Sequence, residues 1–192
     1  MGNVSQELST TSYALLGLFV FEGPESAGMT GYELKQRADK TLRFYWVSPA
    51  MSQVYTELDR LVGQQMVMAS DELSGKRRTR RYRITALGFE SLQGWLNSSA
   101  TDFPTLKHPV ALKLLMGALM QPDRLRSMLK QYVDDLAVSR ADLLAVRTGL
   151  GDLEAFRYPA LVAEWGLDYY DAETEIVTAL LEKLAGLPER PG

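Results

Sequence analysis

The densest chemical feature of this sequence is a run of cationic side chains between positions 76 and 83. Six of these eight residues are cationic: Lys76, Arg77, Arg78, Arg80, Arg81 and Arg83. Like charges this close together repel one another, so a polyanion such as nucleic acid is the most economical partner for the run. A merely solvated charged loop is the alternative.

The distribution of charge along the chain agrees with a local binding site for a polyanion. Residues 1–100 carry 11 Lys/Arg and 10 Asp/Glu, a net charge of +1, whereas residues 101–192 carry 10 and 14, a net charge of −4. A mildly acidic protein with one dense basic region can bind nucleic acid there while the rest of the surface stays well solvated.

A second polar surface is predicted on a helix that begins at Ser48 and Pro49, since serine is a favoured N-cap and proline a favoured first helical residue. Apolar residues at helical spacing predict its buried stripe: Val54, Leu58, Leu61 and Val62. Polar residues occupy the opposite face: Ser52, Gln53, Thr56, Glu57 and Arg60. Such side chains can bond base edges and phosphates, so this helix and the cationic run suit the same ligand.

Two helices are predicted before this one. The capping residues Thr10-Thr11-Ser12 open an apolar helix, which Gly23-Pro24 ends. Thr30 and Glu33 have the spacing of a capping box, so a second helix begins there and ends near Thr41. We expect its inner face to consist of Tyr32, Leu34 and Ala38.

A β-hairpin and a fourth helix are predicted after the third helix. Residues 66–73, with Val67 and Ala69 turned inward, and residues 78–84 have the composition of strands. Thr85 is the predicted cap of a helix that carries Leu87, Leu92, Trp95 and Leu96. This order of elements is that of a winged helix-turn-helix, in which the third helix enters the major groove.

The C-terminal half is predicted to be helical, beyond a polar boundary at residues 97–104. A short apolar helix spans residues 110–120, and a longer one begins at Gln121-Pro122-Asp123. A heptad-like seam runs along the longer helix, with Ser139 as its polar interruption: Leu125, Leu129, Tyr132, Leu136, Leu143, Val146 and Leu150.

A last helix, over residues 159–184, offers further side chains for packing: Leu161, Trp165, Tyr169, Ile176, Leu180 and Leu184. The seam predicts a homodimer, and packing of the two long helices on each other within one chain is the alternative. We therefore predict a mainly α fold with a small β-hairpin. It comprises a winged helix-turn-helix DNA-binding domain over residues 1–100 and a helical dimerisation domain over residues 101–192.

An enzyme is not expected from the residues available. The chain has no cysteine and a single histidine, His108, which we interpret as a helix cap or surface residue next to Pro109. Neither a phosphate-binding nor a dinucleotide-binding glycine motif is present, and Asp134-Asp135 is interpreted as a solvated face. We expect no cofactor and no metal. The apolar run of residues 13–21 is too short to span a membrane, and we expect a cytoplasmic protein.

The sequence resembles the PadR family of transcriptional regulators. The resemblance rests on Leu15-Leu16-Gly17-Leu18, Gly31-Tyr32-Glu33-Leu34, Phe44-Tyr45-Trp46 with Ser48, Gln53-Val54-Tyr55 with Leu58 and Leu61, and Tyr82, Ile84, Thr85 and Gly88. It covers the first hundred residues. The stretch at residues 112–117 also resembles the start of a longer C-terminal region, which implies the subgroup with several C-terminal helices.

The resemblance implies roles for individual residues of the DNA-binding surface. The implied reading positions are Ser48, Ser52, Gln53, Tyr55 and Thr56, the implied phosphate contacts are Thr10, Thr11 and Lys35, and the implied wing is Lys76, Arg77, Arg78 and Arg80. Arg81 and Arg83 alternate with Tyr82 and Ile84, so the face of the sheet is an alternative role for these two. The chain departs from the family at Ser52 and Gln65, where glycine is common.

We further predict a repressor that binds an inverted-repeat operator, because a symmetric homodimer presents two third helices. The resemblance also implies release by a small aromatic effector. Candidate effector-binding residues are Trp95, Trp165 and Tyr169, and Tyr158 and Tyr170 are further aromatic residues in or near the C-terminal half. Core and dimer packing is the alternative role for these aromatics. A protein-interaction adaptor built on the same winged helix is the alternative function, and the cationic run argues against it because an adaptor has no need of it.

Overall fold

The structure is a computed structural model that describes residues 8–21, 23, 26–74, 77–98, 100, 101, 103, 104 and 107–186. Its contacts divide the chain into two compact units, Met1–Asp102 and Phe103–Gly192. We call these the head and the C-terminal unit.

The described part of the head contains helices and one hairpin in the predicted order. The elements are α1 (Thr10–Val20), α2 (Gly31–Thr41), α3 (Met51–Gly63), β1 (Val67–Ser74), β2 (Arg77–Ile84) and α4 (Ala86–Ser98). The strands pair antiparallel, with Val67 opposite Ile84 and Ser74 opposite Arg77. The predicted fold class, mainly α with a small β-hairpin, is confirmed.

The helix starts agree with the sequence except at two caps. Thr30 and Glu33 form the predicted capping box of α2. The N-cap of α1 is Ser9, whose hydroxyl accepts the N–H of Ser12, so the predicted capping residues lie inside the helix. Helix α3 begins at Met51 and not at Ser48-Pro49, because the amide oxygen of Gln53 accepts the N–H of Ala50 at 2.9 Å.

The core of the head lies between its helices and the inner face of the hairpin. The predicted stripe of α3 is confirmed at Val54, Leu58 and Leu61, which are fully buried. On α2 the prediction holds for Leu34 and Ala38 and is wrong for Tyr32, whose side chain is 57% exposed. Apolar residues of the other elements complete this core: Leu15, Leu16, Leu18, Phe19, Val67, Tyr82 and Leu92.

Two residues join the hairpin to its neighbours. The hydroxyl of Thr85 accepts the N–H of Gly88 at 3.0 Å, so Thr85 caps α4 as predicted. Gln65, two residues after the end of α3, has a φ of +61°. Its N–H donates to the carbonyl of Val62, and the N–H of Met66 donates to the carbonyl of Leu61. This is the Schellman arrangement, in which glycine is the usual left-handed residue.

The C-terminal unit consists of α5 (Pro109–Leu115), a 3₁₀ turn (Gly117–Leu119), α6 (Pro122–Leu150), a second 3₁₀ turn (Glu154–Phe156) and α7 (Arg157–Ala185). Helices α6 and α7 form an antiparallel hairpin. Arg140 donates to Asp171 at 2.5 and 2.9 Å, and Arg147 donates to Glu164 at 2.8 Å. None of the described helices is long and apolar enough to cross a membrane.

The seam of α6 is covered within one chain. Its leucines Leu125, Leu129, Leu136 and Leu143 are buried there, and the side chain of Leu143 lies against Gly166 of α7. Tyr132, Val146 and Leu150 are half-buried. The alternative interpretation, packing of the two long helices on each other, therefore accounts for the seam without a second chain.

The outer face of α7 differs from the prediction. Four side chains that were expected to pack are exposed: Leu161, Trp165, Tyr169 and Ile176. The other two, Leu180 and Leu184, are half-buried. The buried residues of α7 are mainly small: Ala160, Ala163, Gly166 and Val177. Small residues let α7 approach α6 closely and leave its large apolar side chains on the other side.

Candidate nucleic-acid interface

The N-terminal turns of α3 present polar side chains to solvent. Ser52, Gln53 and Thr56 are exposed, and Tyr55 is 43% exposed. Two of these groups also have partners within the helix: Gln53 caps Ala50, and the hydroxyl of Thr56 donates to the carbonyl of Ser52 at 3.0 Å. The amide nitrogen of Gln53 still offers donors for a base edge.

Tyr55 fixes the spacing between α2 and α3. A β-carbon on Gly31 would lie 2.5 Å from Cε1 of the Tyr55 ring, so only glycine fits there without a shift. Helix α2 therefore begins in direct contact with the ring of a predicted reading residue. The phenol edge of Tyr55 serves packing and leaves less of the side chain for DNA.

Lys35 and Ser48 lie together, although they come from different segments. The ammonium of Lys35 forms an ion pair with Asp39, one turn further along α2. The hydroxyl of Ser48 donates to the same carboxylate at 2.6 Å, and Lys35 Nζ lies 3.4 Å from that hydroxyl. These bonds hold the pKa of Asp39 below its usual value, Lys35 contributing most. Asp39 is a residue that the sequence interpretation missed.

The start of α1 is joined to α3 by a buried polar contact. Ser12 is fully buried and its hydroxyl donates to the carboxylate of Glu57, which also accepts from Ser9 at 3.3 Å. Glu57 was predicted to face outward and is instead only 18% exposed. Thr10 and Thr11 occupy the first turn of α1, whose free N–H groups and dipole favour a phosphate.

Arg80 lies on the face of the hairpin that points towards α3. Its guanidinium carbon is 5.4 Å from the centroid of the Tyr82 ring, and Tyr82 belongs to the core. Burial raises the pKa of Tyr82. Asp59 and Tyr55 of α3 raise this pKa further, whereas Arg80 lowers it. Side chains two positions apart on a strand share a face, so Arg78 lies on this side as well.

Arg81 has a structural role on the opposite face, as the alternative interpretation proposed. It donates to the carbonyl of Gly28 at 2.7 Å and pairs with Glu72 at 3.1 Å and Glu33 at 3.4 Å. Arg83 is exposed on the same face of β2. Lys76 lies outside the described residues, and of Arg77 only the backbone is described.

Carboxylates balance part of the cationic run. Arg78 pairs with Asp71 at 2.6 Å across the hairpin, in addition to the two carboxylates that pair with Arg81. Two of the six cations, Arg78 and Arg81, are therefore paired with carboxylates, contrary to the mutual repulsion expected from the sequence. What remains in favour of a polyanion is that the exposed Arg78 and Arg80 share the face of β2 that carries Tyr82.

The aromatic residues proposed for an effector lie in different units and have different surroundings. The ring of Trp95 stacks on that of Tyr13, with ring centroids 4.7 Å apart and an interplanar angle of 9°. This contact joins α4 to α1. Trp165 and Tyr169 are exposed on α7, with ring centroids 6.2 Å apart. The alternative role, core packing, therefore applies to Trp95.

His108 is a helix cap, as predicted. Its Nδ1 accepts the N–H of Ala111 at 3.1 Å, which leaves the proton on Nε2 to be donated to Glu173 at 2.8 Å. The hydroxyl of Tyr132 lies 3.1 Å from the same Nε2, and burial, with help from Glu173, raises the pKa of Tyr132. This cluster joins the start of α5 to α6 and α7. Among the described residues, no group of three or more His, Asp or Glu side chains could hold a metal ion.

Comparison with known proteins agrees with the arrangement of the head. Residues 24–94 match the model of the transcriptional regulator PadR-like family. The head contains a PadR-like domain. The resemblance predicted from the sequence is thereby confirmed over these residues, and members of this family are transcriptional regulators rather than enzymes. Assignment to the subgroup with several C-terminal helices stays a prediction.

Several solved structures are similar in fold over most of the chain. Bacillus subtilis PadR in complex with operator DNA superimposes with a TM-score of 0.78 at 19% identity, covering 92% of this chain and 99% of that one. A PadR-like regulator from Bacillus cereus gives 0.75 at 16% identity, with coverages of 95% and 99%. The Vibrio cholerae virulence activator AphA gives 0.70 at 19% identity, with coverages of 92% and 99%. No curated protein sequence matches the chain.

Proposed function

We propose that this PadR-like protein is a sequence-specific DNA-binding transcriptional regulator, and that a cytoplasmic location goes with this role. The observation that carries the proposal is that the head exposes polar and cationic side chains on both α3 and β2. In our proposal, Ser52 and Gln53 of α3 engage the same duplex as the exposed Arg78 and Arg80, which share the face of β2 that carries Tyr82. In this arrangement α3 reads base edges and the wing contacts phosphates.

The regulator is proposed to act as a homodimer through the outer face of α7. Exposed apolar side chains follow one another on this face at helical spacing: Tyr158, Leu161, Val162, Trp165, Tyr169 and Ile176. A continuous apolar strip of this kind is more stable when covered, and a second copy of α7 presents the same strip in return. The predicted seam on α6 is then the core of each subunit, and the interface lies on the opposite side of the helical hairpin.

A symmetric dimer implies an operator with two-fold symmetry. Its two α3 helices reach major grooves about one helical turn, or a multiple of it, apart. Inverted repeats are therefore the expected form of the operator. We propose repression as the mode of action, since occupying an operator can block transcription without any contact to polymerase. AphA is described as a virulence activator, so activation is an outcome to be tested.

We further propose that a small aromatic effector releases the protein from its operator. Bacillus subtilis PadR has been solved with p-coumaric acid and superimposes with a TM-score of 0.69 at 19% identity, covering 91% of this chain and 98% of that one. In this chain the exposed rings of Trp165 and Tyr169 offer a surface on which an aromatic acid can stack.

Selection of binding sites from a pool of random duplexes tests the DNA-binding proposal. We expect enrichment of an inverted repeat whose half-sites are separated by about one helical turn. The Gln53→Ala variant should bind the enriched duplex more weakly by about 1 to 3 kcal/mol and bind scrambled duplex almost as well as wild type. If no sequence is enriched, the adaptor function replaces the proposal.

A further inference from the structure

We propose that Asp39 is a positioning residue of the DNA interface, which restrains the phosphate attraction of Lys35 and orients the hydroxyl of Ser48. The inference rests on the proposed DNA binding. It concerns a carboxylate that lies between two side chains implied to contact DNA, in a place where a bound duplex would experience its charge.

The contacts of Asp39 tie together two segments on either side of the loop that leads into α3. Lys35 reaches the carboxylate along α2, and Ser48 reaches it from the residues before α3, with an Oγ to Oδ1 distance of 2.6 Å. The Lys35 side chain is only 19% exposed, whereas that of Asp39 is 49% exposed. The carboxylate is thus the more accessible member of this ion pair.

The exposed negative charge acts on every phosphate that Lys35 could approach. The pKa of Asp39 is lowered by its hydrogen bonds with Lys35 and Ser48, so the group stays ionised at neutral pH. A phosphate that contacts Lys35 must come within a few ångströms of this carboxylate and is repelled by it. Phosphates carry no sequence information, so the repulsion weakens binding to all duplexes alike.

The hydrogen bond from Ser48 has a different consequence. An O–H donor that is held by a carboxylate keeps its rotamer, and its oxygen lone pairs point in a fixed direction. Ser48 lies just before α3, and by resemblance it is a reading position. Loss of its acceptor is expected to affect the selected duplex more than a random one.

Two substitutions at one position separate these roles. Asp39→Asn removes the charge and keeps an oxygen that can accept from Ser48, whereas Asp39→Ala removes both. The full-length variants are titrated with the duplex enriched by wild-type protein and with a scrambled duplex of the same composition, at several salt concentrations. Asp123→Asn is the control, since it removes one charge from a side chain that is 94% exposed at the start of α6.

We expect Asp39→Asn to raise affinity for both duplexes by about fivefold per head, because neighbouring like charges at a surface cost about this much. Its plot of log K against log salt should be steeper by up to about 0.9 per head. Asp39→Ala should show the same gain on scrambled duplex, but its ratio of selected to scrambled affinity should fall about fivefold, the effect of one hydrogen bond. Asp123→Asn should change neither quantity.

The role of Lys35 is tested by combining variants. In a Lys35→Met background, Asp39→Asn should no longer steepen the salt dependence, because the restrained cation is absent. A merely structural Asp39 would change the melting temperature and leave the salt slope and affinity ratio unaltered, and that result would overturn the inference. Wild-type protein that bound no duplex would overturn the proposed function as well, whereas wild-type binding with unaltered Asp39 variants would overturn this inference alone.

Discussion

The ring of Tyr55 on α3 lies directly against the α-carbon of Gly31, the first residue of α2. A β-carbon at position 31 would be 2.5 Å from Cε1 and 2.8 Å from Cζ of this ring. The contact makes the position of α3 depend on the absence of a side chain on α2. The proposed reading residues of α3 are therefore placed by backbone packing that begins one helix earlier.

Substitution of Gly31 by alanine is expected to destabilise the head by about 1 to 3 kcal/mol, the usual cost of inserting a methyl group into a packed contact. Chemical denaturation measures this change. Gly17→Ala is the matched control, since a β-carbon there meets nothing within 4 Å and an alanine favours the helix. In the Tyr55→Ala background the cost of Gly31→Ala should largely vanish, and an additive double mutant would contradict the assigned contact.

The two faces of β2 are expected to respond differently to loss of an arginine. Arg80→Ala removes a cation beside α3, so affinity should fall on selected and scrambled duplexes alike. The plot of log K against log salt should become shallower, its slope falling in magnitude by about 0.9 per head. Arg83→Ala removes the same charge from the opposite face and should leave the slope nearly unchanged. Equal effects of both variants in a titration would show that the wing does not bind DNA through the face assigned to it.

Gln65→Gly is expected to stabilise the protein by about 1 kcal/mol. Gln65 has a φ of +61°, where a side chain costs roughly 1 to 2 kcal/mol and glycine has no such cost. The gain is reduced by the greater freedom of glycine in the unfolded chain. Differential scanning calorimetry measures the shift in melting temperature. A lower melting temperature for the glycine variant would show that the Gln65 side chain itself stabilises the head.

Trp165→Glu is expected to convert a homodimer into a monomer. The Trp165 side chain is 61% exposed at the centre of the apolar strip of α7, and a buried carboxylate there would be costly. Sedimentation equilibrium at micromolar concentration reports the mass. Val138→Glu is the matched control, because Val138 is a 65% exposed apolar residue of α6 outside the strip. A dimeric Trp165→Glu variant would move the interface elsewhere.

Glu33 is expected to contribute to stability only above acidic pH. Its pKa is lowered, chiefly because the carboxylate accepts the backbone N–H of Thr30. A lowered folded-state pKa means that the contribution is present above the pKa of the unfolded chain, near 4.5, and is lost as pH falls through the lower folded value. Glu33→Gln keeps an acceptor without the charge. Urea denaturation should find wild type more stable at pH 7 by roughly 0.3 to 1 kcal/mol, and the difference should shrink as pH falls below 4.5.

The sequence by itself determined the elements of the head and their order. Helix starts and apolar stripes depend on residues three or four positions apart, so the capping box of Thr30 and Glu33 and the buried stripe of α3 were predictable from spacing alone. The capping role of His108 was predictable for the same reason, because its partner Ala111 is three residues away.

The tertiary structure alone decided which partner each polar or apolar face has. Glu57 faces Ser12, 45 residues earlier, although local spacing predicted that Glu57 faces solvent. Arg81 donates to the carbonyl of Gly28, 53 residues earlier, whereas local spacing left the role of Arg81 undecided. The heptad seam of α6 was recognisable, but periodicity reports only that a face is apolar and not whether the same chain or another covers it. In the structure the same chain buries the leucines of this seam, and the side chain of Leu143 lies against Gly166 of α7.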